Sequence, residues 1–350
     1  NSMMRVTPRR ADYTSVKLGG LPLILTSHRG TSVSLSPVQG NAGELSAVME
    51  LSYDQEMLTP YSYSVFLDDQ DIAVDFGLSH RAAAYELSFE GAGPAYVILS
   101  SRGGALQWDG KALSGHQELG NDTRVFLYLL PDQPPVRVSS LKGNELHEGY
   151  KAEGRDACLV LDFGNEIKQL GVHYGVSFID AEQARKNMER EVAGKSVSEL
   201  QLEARKIWNE ALGKIQIQGG TTDDRTVFYT SLYRCYERPV RISEDGRYFS
   251  AFDGQVHEDQ GRPFYTDDWI WDSYRAQHPL RILLDPAQEE DILQSFVRMA
   301  QQRDHFWMPT FPKINGDGCA MNSNHGVASV LDAYRKGLDN FDLEKAYRAS

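Results

Sequence analysis

Two stretches of this chain gather side chains that could do chemistry. In the first, Tyr265-Thr266-Asp267-Asp268-Trp269-Ile270-Trp271-Asp272-Ser273-Tyr274-Arg275-Ala276-Gln277-His278-Pro279, three carboxylates and two tryptophans fall among tyrosine, arginine and histidine. A helix beginning near Asp268 would put Asp268, Asp272 and Arg275 on one face, at i, i+4 and i+7. Aromatic rings offer flat apolar platforms to sugar faces, and Asp or Arg binds hydroxyl pairs through charge-assisted hydrogen bonds. Acidic caps on a helix N-terminus, with Arg275 paired to an Asp, would use the same residues, and both readings stand at this point. The second stretch runs from Trp307-Met308-Pro309 through Lys313, Asn315-Gly316-Asp317-Gly318, Met321 and Asn322 to Asn324-His325-Gly326. Its Gly-rich loop puts Asp317 where a carboxylate could face a cleft. Asn-Gly-Asp-Gly is also what ordinary turns are made of, and His325 reads equally as a capping or packed residue. Motifs for other chemistries are absent: no phosphate-binding Gly-x-x-x-x-Gly-Lys-Ser/Thr loop, no His-Glu-x-x-His and no Gly-x-Ser-x-Gly.

The elements that must position these residues come in two textures. From about residue 20 to 180 the apolar period is two, broken by Gly, Pro and Asp clusters. Leu21 to Thr26, Tyr61 to Leu67, Asp71 to Leu78, Ala83 to Phe89, Arg124 to Leu130 and Ala157 to Phe163 read as strands, with Asp69-Gln70 turning one pair. Short strands of this kind suggest an antiparallel sandwich. After about residue 185 the period becomes 3.6. Ser196 with Glu199 is a capping-box pattern ahead of Leu200, Ala204, Ile207, Trp208 and Ala211. A second helix is expected from Asp224 to about Glu237, and Asp285-Pro286 opens a third with Gln288 completing its box. Ile292, Leu293, Phe296, Met299 and Ala300 form that helix's buried stripe, and Gly337 closes another helix from about His325. Strands first and helices afterwards argue for two domains of different class rather than alternating βαβ units. A last helix begins near Asp342 and meets no stop signal before Ser350, so more helical sequence is expected beyond it.

The totals narrow the function classes. At 350 residues, two cores are expected. The net charge of -13 argues against nucleic acid and anionic membranes, which are bound by lysine and arginine. No apolar run approaches the roughly 18 residues of a membrane span. Cys158, Cys235 and Cys319 have neither disulfide-framework nor zinc spacing and read as small core residues.

Both clusters, in this order, resemble glycoside hydrolase family 92, the calcium-dependent exo-acting α-mannosidases. The family's Trp-Asp-Thr-(Phe/Tyr)-Arg-x-x-His-Pro-like segment is similar to Trp271-Asp272-Ser273-Tyr274-Arg275-Ala276-Gln277-His278-Pro279. Gly219-Gly220-Thr221, Thr226 to Tyr233, Asp245-Gly246-Arg247-Tyr248 and Asp253-Gly254 look like its entry to the helical domain, and Asp332-Ala333-Tyr334 with Lys336-Gly337 and Asn340-Phe341-Asp342 continue the likeness. The resemblance implies a β-sandwich over 1–185, a helical linker over 186–218 and, over 219–350, the first part of an (α/α)6 barrel. It implies Trp271, Asp272 and Arg275 at the pocket for the terminal sugar, with His325 beside them as a further substrate ligand. Counting from Met308-Pro309 to His325, Asp317 stands where the family's general acid is a Glu. Asp is one methylene shorter, which sets a proton donor back by about 1 Å. The implied reaction is calcium-dependent, inverting release of mannose, α-1,2 linkages in mannose-containing glycans being the expected substrate. The general base and the calcium ligands would come from later segments than Ser350, and the implied compartment is periplasm, cell surface or medium. Two other readings stay open: a catalytically altered or carbohydrate-binding relative, and an (α/α)6 hydrolase for another sugar or a sugar phosphodiester.

Overall fold

The computed structural model describes residues 2–6, 15–24, 33–47, 49–321 and 324–350. Leu25, Thr26 and Asn322, named in the sequence reading, lie outside them. Two compact units are present, one built mainly from 4–119 and 124–208, the other mainly from 209–350.

The first unit is an antiparallel sandwich. Among the described residues its larger sheet has ten strands, in the spatial order 17–18, 51–58, 62–67, 72–78, 82–89, 169–177, 123–131, 113–120, 104–108 and 151–154. Its smaller sheet has six, in the order 145–148, 137–142, 157–162, 95–101, 34–39 and 21–22. Alternation sets the register where it is clean: Tyr63, Val65 and Leu67 are buried and pair with Phe76, Val74 and Ile72. Shifting either strand by one residue would turn that set outward. The strand Ala95–Ser101 carries an almost unbroken apolar run because both of its faces are covered. Tyr96 and Ile98 pack with Val38, Leu45, Cys158 and Val160 on one side, while Val97 and Leu99 are buried on the other. Tyr85 and Tyr174, buried in the larger sheet, satisfy their hydroxyls on the edge of the smaller one, donating to Pro22 O at 3.2 Å and Leu23 O at 2.8 Å.

Two helices close this unit, α1 (Ala181–Glu191) and the first turns of α2 (Val197–Leu212). Met188, Val192, Val197 and Leu200 pack on Ala82 and Ala84. The approach is close enough that a Cβ on Gly175 would stand 2.2 Å from Ala184 O, so only glycine fits there. The expected capping box at α2 is present: Ser196 N donates to Glu199 Oε2 at 2.8 Å and Glu199 N to Ser196 Oγ at 3.3 Å.

The second unit is mostly helical: α3 (Thr222–Cys235), α4 (Ile270–Ser273), α5 (Gln277–Leu284), α6 (Pro286–Gln301), α7 (His325–Arg335) and α8 (Leu343–Arg348). Short strand pairs join Val240–Arg241 to Tyr265–Thr266, Arg247–Ser250 to Gln255–Glu258, and Pro312–Lys313 to Gly316–Asp317. The stripe of α6 lies where its period puts it, with Ile292, Leu293, Phe296, Met299 and Ala300 all buried. Three expectations need correcting. The cap of α3 is Thr221, in a capping box with Asp224, one turn ahead of the expected start. Asp285 makes no side-chain cap on α6, because its carboxylate pairs with Lys214 and accepts from the Tyr236 hydroxyl, while Gln288 turns to Tyr265. Cys158 is a core residue as expected, but Cys319 is exposed, at a left-handed turn with φ 46°.

Candidate functional site

The first cluster folds as an irregular excursion around the single turn α4. A four-residue helix cannot offset its own nucleation, so the turn must be held from outside. Asp267, at φ 59°, ion-pairs with Arg238, whose guanidinium lies 4.0 Å over the Trp269 ring. Trp269 in turn approaches Phe311, with ring centroids 6.1 Å apart. The helix starts at Ile270 rather than near Asp268, so the shared face expected for Asp268, Asp272 and Arg275 does not form. Asp268 is fully buried and accepts from the Ser273 hydroxyl at 2.7 Å, whereas Asp272 and Arg275 face outward.

Those outward residues make a coherent patch. Trp271 is 47% exposed, and the Asp272 carboxylate has no hydrogen bond or ion pair among the described residues. Arg275 Nε donates to the Tyr274 hydroxyl at 2.9 Å, which leaves the rest of its fork directed to solvent. Tyr274 stacks on His325, the first residue of α7, at 3.9 Å and 7°. Partial burial, then the nearby Arg275 charge, push the His325 imidazole below its usual range, so at neutral pH it is an uncharged ring able to donate or accept. The Tyr274 ring thus links Arg275 to His325, and Trp271 and Asp272 are exposed on the turn α4 just before it.

Asp317 has a different environment. It sits on the short hairpin after Pro312, with its side chain 4% exposed. Oδ2 accepts from Arg303 Nη1 at 2.7 Å and from Thr310 N at 2.9 Å. Oδ1 accepts from the Thr310 hydroxyl at 3.0 Å, Phe311 N at 2.8 Å and Cys319 N at 3.1 Å. Burial would raise this carboxyl's pKa, but the amides of Thr310, Phe311 and Cys319 and the Thr310 hydroxyl outweigh it and hold the group below the usual carboxylate range. A general acid must keep its proton near neutral pH, and this one is stabilised as an ion with both oxygens engaged. That runs against the proton-donor role expected for Asp317. The carboxylate is the peg on which the 310–319 loop hangs.

One buried constellation was not singled out from sequence. His278, on α5, places Nδ1 2.7 Å from Glu289 Oε1 on α6 and Nε2 3.0 Å from Asp268 Oδ2, the latter at an angle too bent for a hydrogen bond. All three side chains are buried, and so is Arg281, whose Nη2 donates to Cys235 O at 2.9 Å. Burial alone would push His278 down, but the Glu289 and Asp268 carboxylates outweigh it and raise its pKa to about 9. Asp268 is held low against burial by His278, Arg281 and Ser273. Nothing local marks Glu289 as a partner, since an acid in the first turn of a helix normally faces water.

Among the described residues, no group of three or more His, Cys, Asp or Glu is placed to hold a metal ion. No helix is long and apolar enough to cross a membrane.

Comparison with known proteins gives a consistent picture. Residues 3–177 match the glycosyl hydrolase family 92 N-terminal domain, and residues 183–350 match the glycosyl hydrolase family 92 catalytic domain. A family GH92 inverting mannosidase from Bacteroides thetaiotaomicron VPI-5482 superposes with a TM-score of 0.90 at 27% identity, over 99% of this chain and 50% of that one. A family GH92 α-mannosidase from Bacteroides thetaiotaomicron shares the fold, with a TM-score of 0.89 at 20% identity over 99% of this chain and 53% of that one. The latter protein has also been solved in complex with mannoimidazole. An uncharacterized secreted glycosidase of Arthroderma benhamiae is 23% identical over 191 residues, 53% of this chain and 20% of the relative. The chain spans about half the length of these solved structures and a fifth of that curated relative.

Proposed function

Because the chain belongs to glycosyl hydrolase family 92, we propose that it is, or forms part of, an exo-acting α-mannosidase that inverts configuration and acts on mannose-containing glycans, α-1,2 linkages first among them. The observation that carries this reading is the patch around α4: an exposed Trp271 beside the unpartnered carboxylate of Asp272 and the open fork of Arg275. A terminal sugar offers an apolar face to a ring, and vicinal hydroxyls to a carboxylate and a guanidinium. Neutral His325, held by its stack on Tyr274, adds a hydrogen-bonding atom beside them. We assign these four residues to sugar binding and Asp317 to anchoring of the adjacent loop. Inversion requires an acid and a base standing ~6.5–9.5 Å apart across the scissile bond. We place the protein outside the cytoplasm, in keeping with the secreted glycosidase it resembles.

A second reading is favoured by one observation. With Asp317 held as an ion, the chain would bind a mannose terminus while cleaving ordinary mannosides slowly. One experiment separates the two. Mannose release from α-1,2-mannobiose by the full-length protein is followed with calcium and with a chelator, alongside calorimetric titration with mannoimidazole. Release that falls with chelator supports the mannosidase; mannoimidazole binding without release supports the binding relative; neither binding nor release refutes both.

A further inference from the structure

The residues assigned to the sugar lie on an excursion that has almost no secondary structure of its own. Between Asp268 and His278 the chain runs out through α4 and back, and only Ile270–Ser273 and Gln277, the first residue of α5, are helical. Its two ends are nevertheless brought together in the interior, where Asp268 Oδ2 and His278 Nε2 are 3.0 Å apart. Glu289 Oε1, 2.7 Å from the other ring nitrogen, ties this closure to α6, the best-packed helix of the unit. Further contacts secure the same base. Ser273 Oγ donates to Asp268 Oδ1 at 2.7 Å, and Gln277 Nε2 donates to Cys235 O and Arg238 O, both at 2.7 Å.

We propose that His278 is a positioning residue: bridged between Asp268 and Glu289, it closes the base of the Trp269–Gln277 excursion and so fixes the angle at which Trp271, Asp272 and Arg275 meet a ligand. The argument rests on where the charges are. Two buried carboxylates facing each other across a neutral ring would repel and separate. A cation between them draws both inward, and Arg281, buried alongside, balances the second negative charge. The ring also has the right shape: Nδ1 is hydrogen-bonded to Glu289 while Nε2, on the opposite edge, lies 3.0 Å from Asp268 Oδ2 in a charge contact. No aliphatic or singly donating side chain can do both. Loop closure of this kind removes the conformational freedom that the excursion would otherwise regain.

This inference rests on the sugar-binding reading of Trp271, Asp272 and Arg275, so its test has one arm that does not. His278→Gln keeps much of the volume and one hydrogen bond but neither the charge nor the second donor. Hydrogen–deuterium exchange of the full chain is expected to show peptides within Trp269–Gln277 exchanging at least about tenfold faster in the variant, with the strand Ala82–Phe89 unchanged. In the same variant KM for mannobiose rises at least about tenfold while kcat changes less than about threefold, and mannoimidazole affinity falls in parallel. A general loss of stability would not split KM from kcat in this way. Glu289→Gln, which leaves His278 and Asp268 in place, gives the same pattern more weakly, and it takes over the test if His278→Gln does not fold. A folded variant with unchanged exchange over Trp269–Gln277 overturns the proposal. Faster exchange with no ligand binding by the wild-type protein leaves the clip standing and removes the sugar-binding reading instead.

Discussion

Replacing Asp317 by asparagine separates a loop anchor from a proton donor. Asparagine has nearly the same shape, but one of its two terminal atoms becomes an NH2 group. In the better of its two orientations that group takes the place of Oδ2, facing Arg303 Nη1 and Thr310 N, both donors. Two charge-assisted bonds are lost, each worth about 1.5–3 kcal/mol when a charged group is involved. Arg303 retains some exposure, 20% of its side chain, so water recovers part of the loss and about 3 kcal/mol remains. For a unit of this size that corresponds to roughly 10 °C in Tm. Scanning calorimetry of wild type and Asp317→Asn should show the helical unit melting earlier by this amount. Activity per folded molecule should stay within about tenfold, because the carboxylate reaches the loop and not the substrate. An acid role predicts the reverse, with Tm within about 2 °C of wild type and mannose release down by about a hundredfold or more. That outcome would falsify the anchoring argument.

Three further outcomes follow from the geometry. The folded pKa of His278 is raised to about 9 from an ordinary value near 6.5, so its contribution to stability is complete below about 6.5 and disappears as pH rises through about 9. The Tm of the helical unit should therefore fall between pH 7 and 10, and His278→Gln should remove most of that slope; an equal slope in both proteins contradicts it. Gly175→Ala drives a Cβ to 2.2 Å from Ala184 O and 2.7 Å from Met188 N, both backbone atoms of α1, and should cost the sandwich unit at least about 3 kcal/mol, read as a lower urea midpoint. Asp272→Asn should leave stability within about 0.5 kcal/mol, since the carboxylate has no partner to lose among the described residues, yet raise the mannoimidazole Kd by about 10- to 150-fold; titration with unchanged affinity removes Asp272 from the site.

Most of the elements that could be read from sequence have a clear apolar period, although Ala157–Asp162, buried throughout, was also read. Tyr63, Val65 and Leu67 alternate with half-buried neighbours, and Ile292, Leu293, Phe296, Met299 and Ala300 recur at helical spacing. The strands Ser34–Gln39 and Ala95–Ser101 went unread because burial on both faces erases alternation. At the site, Trp271, Asp272 and Arg275 stood out by type and clustering, and the family resemblance added His325. Helical spacing nevertheless misplaced Asp268, since a period applies only where a helix forms and α4 is one turn long. The Asp317 loop shows a further limit. Asn-Gly-Asp-Gly announces a turn, but nothing in it reveals that Arg303, 14 residues earlier, arrives to fix the carboxylate as an ion.

The sandwich also governs how the protein behaves at high concentration. A ten-stranded sheet ends in two rows of backbone groups that could recruit another chain by strand addition. Here the outermost strands are Lys17–Leu18 and Lys151–Gly154, two and four residues long, and each begins with a lysine. The smaller sheet ends in Glu145–Glu148, with acids at both ends, and in Leu21–Pro22, where proline has no N–H to offer. Each of these terminal strands is short, charged or missing a donor, and among the described residues Lys17–Leu18 covers the outer edge of Leu51–Leu58 only at Leu51 and Ser52.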